Sequence, residues 1–264
     1  MDNFNVYKDI QARTKGEIYI GVVGPVRTGK STFIKRFMEL AVLPAMEDES
    51  LKAVSTDELP QSAGGKTVMT TEPKFIPKEA VQITLGDGIQ AKVRLIDCVG
   101  YMVDGAAGHV ENGEERMVKT PWSEKEIPFT QAAQIGTRKV IGDHSTIGIV
   151  VTTDGSVGEL KRSAYIDAEK QTVDELKKLG KPFILLLNST KPYSDETLKL
   201  AEQLAADYGV TVLPVSCEQL KKEDIFHILE SVLKEFPVTQ LDFHIPKWLE
   251  VLPATHWLKT QVID

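Results

Sequence analysis

The amino-acid sequence predicts an α/β fold: a mostly parallel sheet with one antiparallel strand and helices on both faces. Three observations carry this. Short apolar runs, such as IYIGVVG (18–24) and FILLLN (183–188), alternate with segments whose apolar residues recur at helical spacing. That rhythm is what buried parallel strands crossed over by helices produce. Two early runs, Val81–Leu85 and Val93–Asp97, are joined by the turn Gly86-Asp87-Gly88 and read as a hairpin, which makes one strand antiparallel. Finally, a glycine-bounded loop, GPVRTGKS (24–31), lies between the first strand and the first helix.

The elements follow in order. Residues 1–16 are polar and read as an arm. The strand Ile18–Gly24 leads through the loop to a helix marked by Ile34, Phe37, Met38 and Ala41 and closed by Pro44. Residues 45–72 are polar and mixed and read as a long loop, functional or disordered. After the hairpin, residues 100–128 form a second irregular stretch rich in Gly, Pro and charge. A helix near Gln131–Ile141 precedes the strand Thr146–Thr152. Ile166, Val173, Leu176 and Leu179 mark an amphipathic helix that stops at Gly180. The strand Phe183–Asn188, a helix lined by Leu198, Ala201, Leu204 and Ala205, the strand Val210–Val215 and a helix over Ile225–Phe236 complete the pattern. Residues 1–236 are therefore expected to form one domain. The tail, 237–264, carries Trp248, Leu249, Leu252, Trp257 and Leu258 and reads as a cap or the start of a further domain.

Composition narrows the function. The chain has 264 residues and a formal charge of −7, so it lacks general attraction for nucleic acid or anionic membrane. Cys98 and Cys217 match no metal or redox spacing and read as buried residues of a reducing compartment. The five histidines are scattered, so no zinc set is visible. No run approaches a membrane span, and the first residues do not read as a signal peptide.

The loop 24–31 fits G-x-x-x-x-G-K-[ST] with strand before and helix after, the context of a P-loop nucleoside triphosphatase. Gly24, Arg27, Thr28 and Gly29 bring backbone N–H groups toward phosphate oxygens. Lys30 is expected to reach the β- and γ-phosphates, and Ser31, followed by Thr32, to present a hydroxyl to Mg²⁺. Asp97, at the end of VRLID, is a candidate Mg²⁺ ligand, and Gly100 of D-C-V-G a γ-phosphate contact. Thr70 and Thr71 occupy the place of a switch threonine; the sequence leaves open which completes the metal shell. Arg27, fourth in the loop, is read as a built-in cation facing the leaving oxygen; the alternatives are solvent exposure or pairing with Glu72.

On the base side, Asn188-Ser189-Thr190-Lys191 ends a strand where GTPases carry N-K-x-D. A lysine is donor-only and cannot accept from guanine, so the expected nucleotide is ATP. Ser216-Cys217-Glu218 is either a second base contact or a plain turn. A guanine-nucleotide switch and a small-molecule kinase are the competing readings.

These stretches together resemble the stage IV sporulation protein A family, the ATPases that build the basement layer of the bacterial spore coat. The resemblance rests on GVVGPVRTGKSTFIKRFMEL, DELPQSAGGKTVMTTEPKF, RLIDCVGY, IGTRKVI with HSTIGIVVTTDGS, and KPFILLLNS, with TPW around Pro121. It implies a fold related to translation-factor-type GTPases. It also implies ATP hydrolysis at Lys30, Asp97, Thr70 and Thr71 that drives irreversible polymerisation. The implied partners are other copies of the protein, a small amphipathic membrane-anchoring protein and further coat proteins. The implied place is the mother-cell cytoplasm, at the outer surface of the forespore membrane. Members of this family carry further domains.

Overall fold

The computed structural model describes residues 16–60, 73–84, 90–106, 110–111, 114–236, 248, 251–253 and 255–263. Strand β1 (Glu17–Val23) enters the glycine loop, and helix α1 (Lys30–Phe37) leaves it. α1 continues into a π-turn at Met38–Val42 and a 3-10 turn at Leu43–Ala45, where Pro44 removes the N–H that would prolong a helix. β2 (Lys74–Thr84) pairs antiparallel with β3 (Gln90–Asp97), and β3 pairs parallel with β1. The hairpin is as expected, but its first strand begins at Lys74 rather than Val81. Its turn, 86–88, lies outside the described residues.

Two segments expected to be irregular contain structure. Within 45–72, helix α2 (Glu49–Asp57) is capped by Asp48, whose carboxylate accepts from the N–H groups of Ser50 and Leu51. Within 100–128, β4 (Val110–Glu111) pairs with β5 (Glu114–Glu115), and β6 (Met117–Thr120) pairs with β7 (Ser123–Pro128).

The remaining chain alternates. Helix α3 (Phe129–Lys139) passes through a π-turn at Val140–His144 into β8 (Ile147–Thr153). Helix α4 (Ile166–Lys178) leads to β9 (Phe183–Asn188). Helix α5 (Asp195–Tyr208) leads to β10 (Val212–Val215), and α6 (Lys222–Lys234) follows. Helix α7 (Trp257–Ile263) lies in the tail, where Trp248 and Trp257 are 60% and 64% exposed. The main sheet has the order β10-β9-β8-β1-β3-β2 and is parallel except for β2.

Every residue of β8 and β9 is buried, as expected of central parallel strands covered on both faces. Side-chain alternation divides the core. Ile18, Ile20, Val22, Ile149, Val151, Ile184 and Leu186 pack with Phe33, Phe37, Ile225 and Leu229 of α1 and α6. Val150, Phe183, Leu185 and Leu187 pack on the other face with Val173, Leu176, Ala201 and Leu204 of α4 and α5. Each such aliphatic side chain contributes roughly 1.5–3 kcal/mol when fully buried. A smaller cluster joins Val26 of the loop to Tyr101, Val103, Ala106, Tyr165 and Ala168.

Fully buried Glu169 of α4 ties the start of that helix to the carboxyl end of β8. Arg162 donates to its two oxygens at 2.5 and 2.7 Å, Tyr208 at 2.8 Å, and Thr152 completes the set.

Candidate functional site: the carboxyl edge of the sheet

Parallel strands put their carboxyl ends on one edge, and ligands of such sheets bind there. β1, β3, β8, β9 and β10 deliver loop 24–29, Asp97, Asp154, Asn188 and Ser216 respectively to that edge. The register sets Val22 beside Asp97 and Thr153 beside Asn188. Lys30, Asp97, Gly100, Thr28 and Asn188, distant in sequence, thereby meet around one loop.

Gly29 precedes α1 at φ 97°, and a β-carbon there would strike the Asn188 amide. Gly100 is tighter still: its β-carbon would overlap the Gly24 carbonyl and stand 2.7 Å from Lys30 Nζ. Only glycine allows the D-x-x-G loop to lie this close. Arg27 has φ 61° and is the single non-glycine residue with positive φ among those described. A side chain held in this sparsely populated region points to function.

Lys30 is 5% exposed and donates to the carbonyls of Pro25 at 2.6 Å and Gly24 at 3.3 Å. Burial pushes its ammonium below the usual lysine range, partly offset by Cys98 and Asp97. Burial likewise raises Asp97 to about 6, against the opposing pull of Lys30, Lys74 and the Cys98 N–H. Asp97 Oδ1 is shut from solvent with no hydrogen-bond partner, as a carboxylate aimed at a hard cation would be. Ser31 and Thr32 begin α1, half-buried, where the helix N-terminus favours anions. Thr28 is fully buried, its hydroxyl donating to the Pro25 carbonyl at 3.0 Å. Thr70 and Thr71 lie outside the described residues, as does Glu72, the alternative partner of Arg27.

The loop is also stitched to the D-x-x-G segment. The Val26 N–H donates to the Tyr101 carbonyl at 2.9 Å, the Tyr101 N–H to the Gly24 carbonyl at 3.3 Å, and Pro25 and Tyr101 form a parallel bridge. Sequence reading passed over Tyr101; its only signal is adjacency to Gly100.

On the base side, the buried Asn188 side chain is a brace. Its Nδ2 donates to the Thr28 carbonyl and its Oδ1 accepts from the Cys217 N–H, each at 2.9 Å. Ser216 is partly buried, and its carbonyl accepts from the Gln219 N–H at 3.0 Å. Cys98 and Cys217 are both buried free thiols.

Asp154, also missed, sits beside this brace. Its Oδ1 accepts from the Ser156 N–H at 2.9 Å and the Ser156 hydroxyl at 2.6 Å. Burial raises its carboxyl, but hydrogen bonds from Ser156, Ser189 and Thr153 prevail and hold it below the ordinary value. The signal in the sequence was Asp-Gly-Ser at a strand end, a turn in which aspartate captures the backbone two residues on.

Among the described residues no three His, Cys, Asp or Glu side chains form a metal-binding group, and no helix is long and apolar enough to cross a membrane.

The model of one family, described as stage IV sporulation protein A, ATPase domain, matches residues 1–237. The chain is 51% identical over 259 residues to stage IV sporulation protein A of Bacillus subtilis, covering 98% of this chain and 53% of that protein. It is 52% identical over 261 residues to the protein of that name from Clostridioides difficile, covering 99% and 53%. The chain thus spans about half the length of the curated relatives it matches.

Proposed function

The chain belongs to the stage IV sporulation protein A family and carries its ATPase domain; from that premise we propose how its residues hydrolyse ATP and what the hydrolysis drives. The observation that carries the reading is the convergence of buried Lys30 and the unpartnered Asp97 carboxylate oxygen at the mouth of one glycine loop.

Backbone N–H groups of the loop and Lys30 bind the phosphates. To do so, the Lys30 ammonium exchanges the Gly24 and Pro25 carbonyls for phosphate oxygens, a stronger charge-assisted pairing. Ser31, Asp97 and one of Thr70 and Thr71 would hold Mg²⁺, which, when bound, neutralises charge across the β- and γ-phosphates. Gly100 turns its backbone N–H to the γ-phosphate. Arg27 supplies a guanidinium where charge develops on the leaving oxygen, so that turnover needs no partner's arginine. Asn188 keeps the base-side loops in place, with Ser216 beside them.

Hydrolysis, in this proposal, changes the shape of segments 45–72 and 100–128 and drives assembly into the basement layer of the spore coat. Support comes from the sporulation proteins that the chain resembles over 98–99% of its length. The proposed domain is 1–236, with 237–264 as a cap or the beginning of a further domain. The proposed partners are further copies, a small amphipathic membrane-anchoring protein and other coat proteins, at the forespore surface facing the mother-cell cytoplasm. The formal charge of −7 weighs against nucleic acid. A GTP-dependent switch is disfavoured because exposed Lys191 stands where guanine needs an acceptor.

The test is Lys30→Ala, measured by ATP binding and phosphate release. Loss of binding or turnover by at least about a hundredfold is expected, since a buried counter-charge is removed. Unchanged affinity and turnover would refute the assignment.

A further inference from the structure

The backbone of Arg27 needs holding. A residue with a β-carbon at φ 61° occupies a sparsely populated region, and it stays there only where its surroundings leave the chain no choice. After Arg27, Asn188 Nδ2 donates to the Thr28 carbonyl at 2.9 Å, and the Thr28 hydroxyl reaches back to the Pro25 carbonyl at 3.0 Å. Before Arg27, two further residues fasten the loop. Lys30 donates to the carbonyls of Gly24 and Pro25. Tyr101 brackets Pro25: its carbonyl accepts from the Val26 N–H at 2.9 Å, and its N–H donates to the Gly24 carbonyl at 3.3 Å.

ATP treats these two fastenings differently. Phosphate oxygens draw the Lys30 ammonium off both carbonyls, because a charge-assisted pairing is the stronger one. The Tyr101 bonds run from backbone to backbone and use no N–H assigned to phosphate, so they remain. The side chain fixes Tyr101 in turn. It is 1% exposed and shares one buried cluster with Val26, Val103, Ala106 and Tyr165. Its hydroxyl has no hydrogen-bond partner, and burial pushes the phenol up to about 12, so the ring serves by shape and not as an acid or base. Gly100, the residue before it, leaves no slack: a β-carbon there would stand 2.0 Å from the Gly24 carbonyl oxygen.

We propose that Tyr101 is a positioning residue for hydrolysis: its buried ring anchors the backbone pair that keeps Arg27 in its left-handed turn once Lys30 has moved to the phosphates. It acts through Arg27 and not on the reacting atoms. This deepens the reading above and rests on its assignment of Arg27 to the developing charge.

The experiment measures turnover and two affinities in the presence of Mg²⁺: for a non-hydrolysable ATP analogue, and for ADP with aluminium fluoride, which stands in for the phosphoryl group in transfer. The chains are wild type, Tyr101→Ala, Tyr101→Phe, Arg27→Ala and the double variant Tyr101→Ala with Arg27→Ala. Tyr101→Ala is expected to lower turnover and affinity for the transition-state mimic by at least about thirtyfold, while the ATP analogue loses less than about threefold. Tyr101→Phe, which keeps the ring, should restore both. On the Arg27→Ala background, Tyr101→Ala should cost the mimic less than about a further threefold, since no guanidinium remains to misplace. Tyr101→Leu, smaller but still apolar, takes the place of Tyr101→Ala if alanine leaves the chain unfolded. Wild-type turnover in Tyr101→Ala overturns the proposal alone. So do equal losses of analogue and mimic, or the full loss repeated with Arg27 absent, for then Tyr101 only packs. Tyr101→Phe as impaired as alanine overturns the argument from shape. Wild-type turnover and mimic binding in Arg27→Ala would instead remove Arg27 from the transition state, and this proposal with it.

Discussion

Replacing Arg162 by methionine keeps most of the side-chain stem and removes the charge that answers Glu169. The Glu169 carboxylate is fully buried and accepts four donors: both Arg162 nitrogens, at 2.5 and 2.7 Å, the Tyr208 hydroxyl at 2.8 Å, and the Thr152 hydroxyl. In Arg162→Met the two neutral donors remain, and the fully buried anion loses its counter-charge. Breaking one side of a buried pair costs about 3–5 kcal/mol. Arg162 also donates to the Thr153 carbonyl at 3.2 Å, which adds about 1 kcal/mol of unmade hydrogen bonding. The expected loss is therefore about 4–6 kcal/mol, a large part of the roughly 5–15 kcal/mol that stabilises an ordinary domain. Glu169→Met combined with Arg162→Met removes both charges and should recover more than half of it, because the pair itself is nearly neutral relative to packed apolar groups. Urea unfolding at pH 7, followed by circular dichroism, measures all three terms of the cycle. A single-variant cost below about 1 kcal/mol, or a double variant no better than the sum of the singles, would show that the pair is solvated in solution and the burial argument wrong.

The other predictions bear on chemistry and on pH. Arg27→Ala should reduce ATP turnover by several powers of ten while changing ATP affinity little; parallel losses, or surviving turnover, would remove Arg27 from the transition state. Burial pushes the Cys217 thiol up to about 12 and Cys98 up to about 11. Both folded-state values lie above the ordinary thiol value of 9.0, so the folded chain retains protons that the unfolded chain gives up. Stability should accordingly fall as pH rises above about 9, by at most about 1.4 kcal/mol per unit for each thiol. Cys217→Ala should flatten the slope between pH 9 and 10.5 in chemical denaturation, and an unchanged slope would contradict the burial.

Strands β1, β8 and β9 were legible because each is a short apolar run, whereas β2 was read only from Val81 because its first half, Lys74–Ala80, mixes apolar and charged residues around a proline. Helix Glu49–Asp57 was not legible. It buries only Ser55 and exposes Leu51 and Val54, so it lacks the apolar stripe that announces a helix. Its one local signal was the capping residue Asp48. The Met117–Thr120 and Ser123–Pro128 hairpin was hidden likewise, since its strands are charged and its turn, Pro121-Trp122, is not an Asn-Gly or Asp-Gly type. At the site, the convergence of Lys30, Asp97 and Gly100 on one loop was readable because phosphate chemistry would need fixed residue types at fixed spacing. The base side was not: Asp154 and Ser156 act on Thr190 from 34 or more positions away, and nothing local marks that pairing.

The stitch between Val26 and Tyr101 makes the phosphate loop and the segment after Asp97 mechanically one body, since neither backbone can shift without breaking two hydrogen bonds. Tyr101 in turn is wedged among Val26, Val103, Ala106 and Tyr165, which carries the connection to the start of α4. Force applied there is therefore felt at the nucleotide, and the exchange runs both ways. Whatever grips residues 101–106 more firmly when ATP is present must tighten ATP by the same factor. A neighbour docking on that surface would act as a brake or an accelerator on nucleotide exchange without approaching a phosphate.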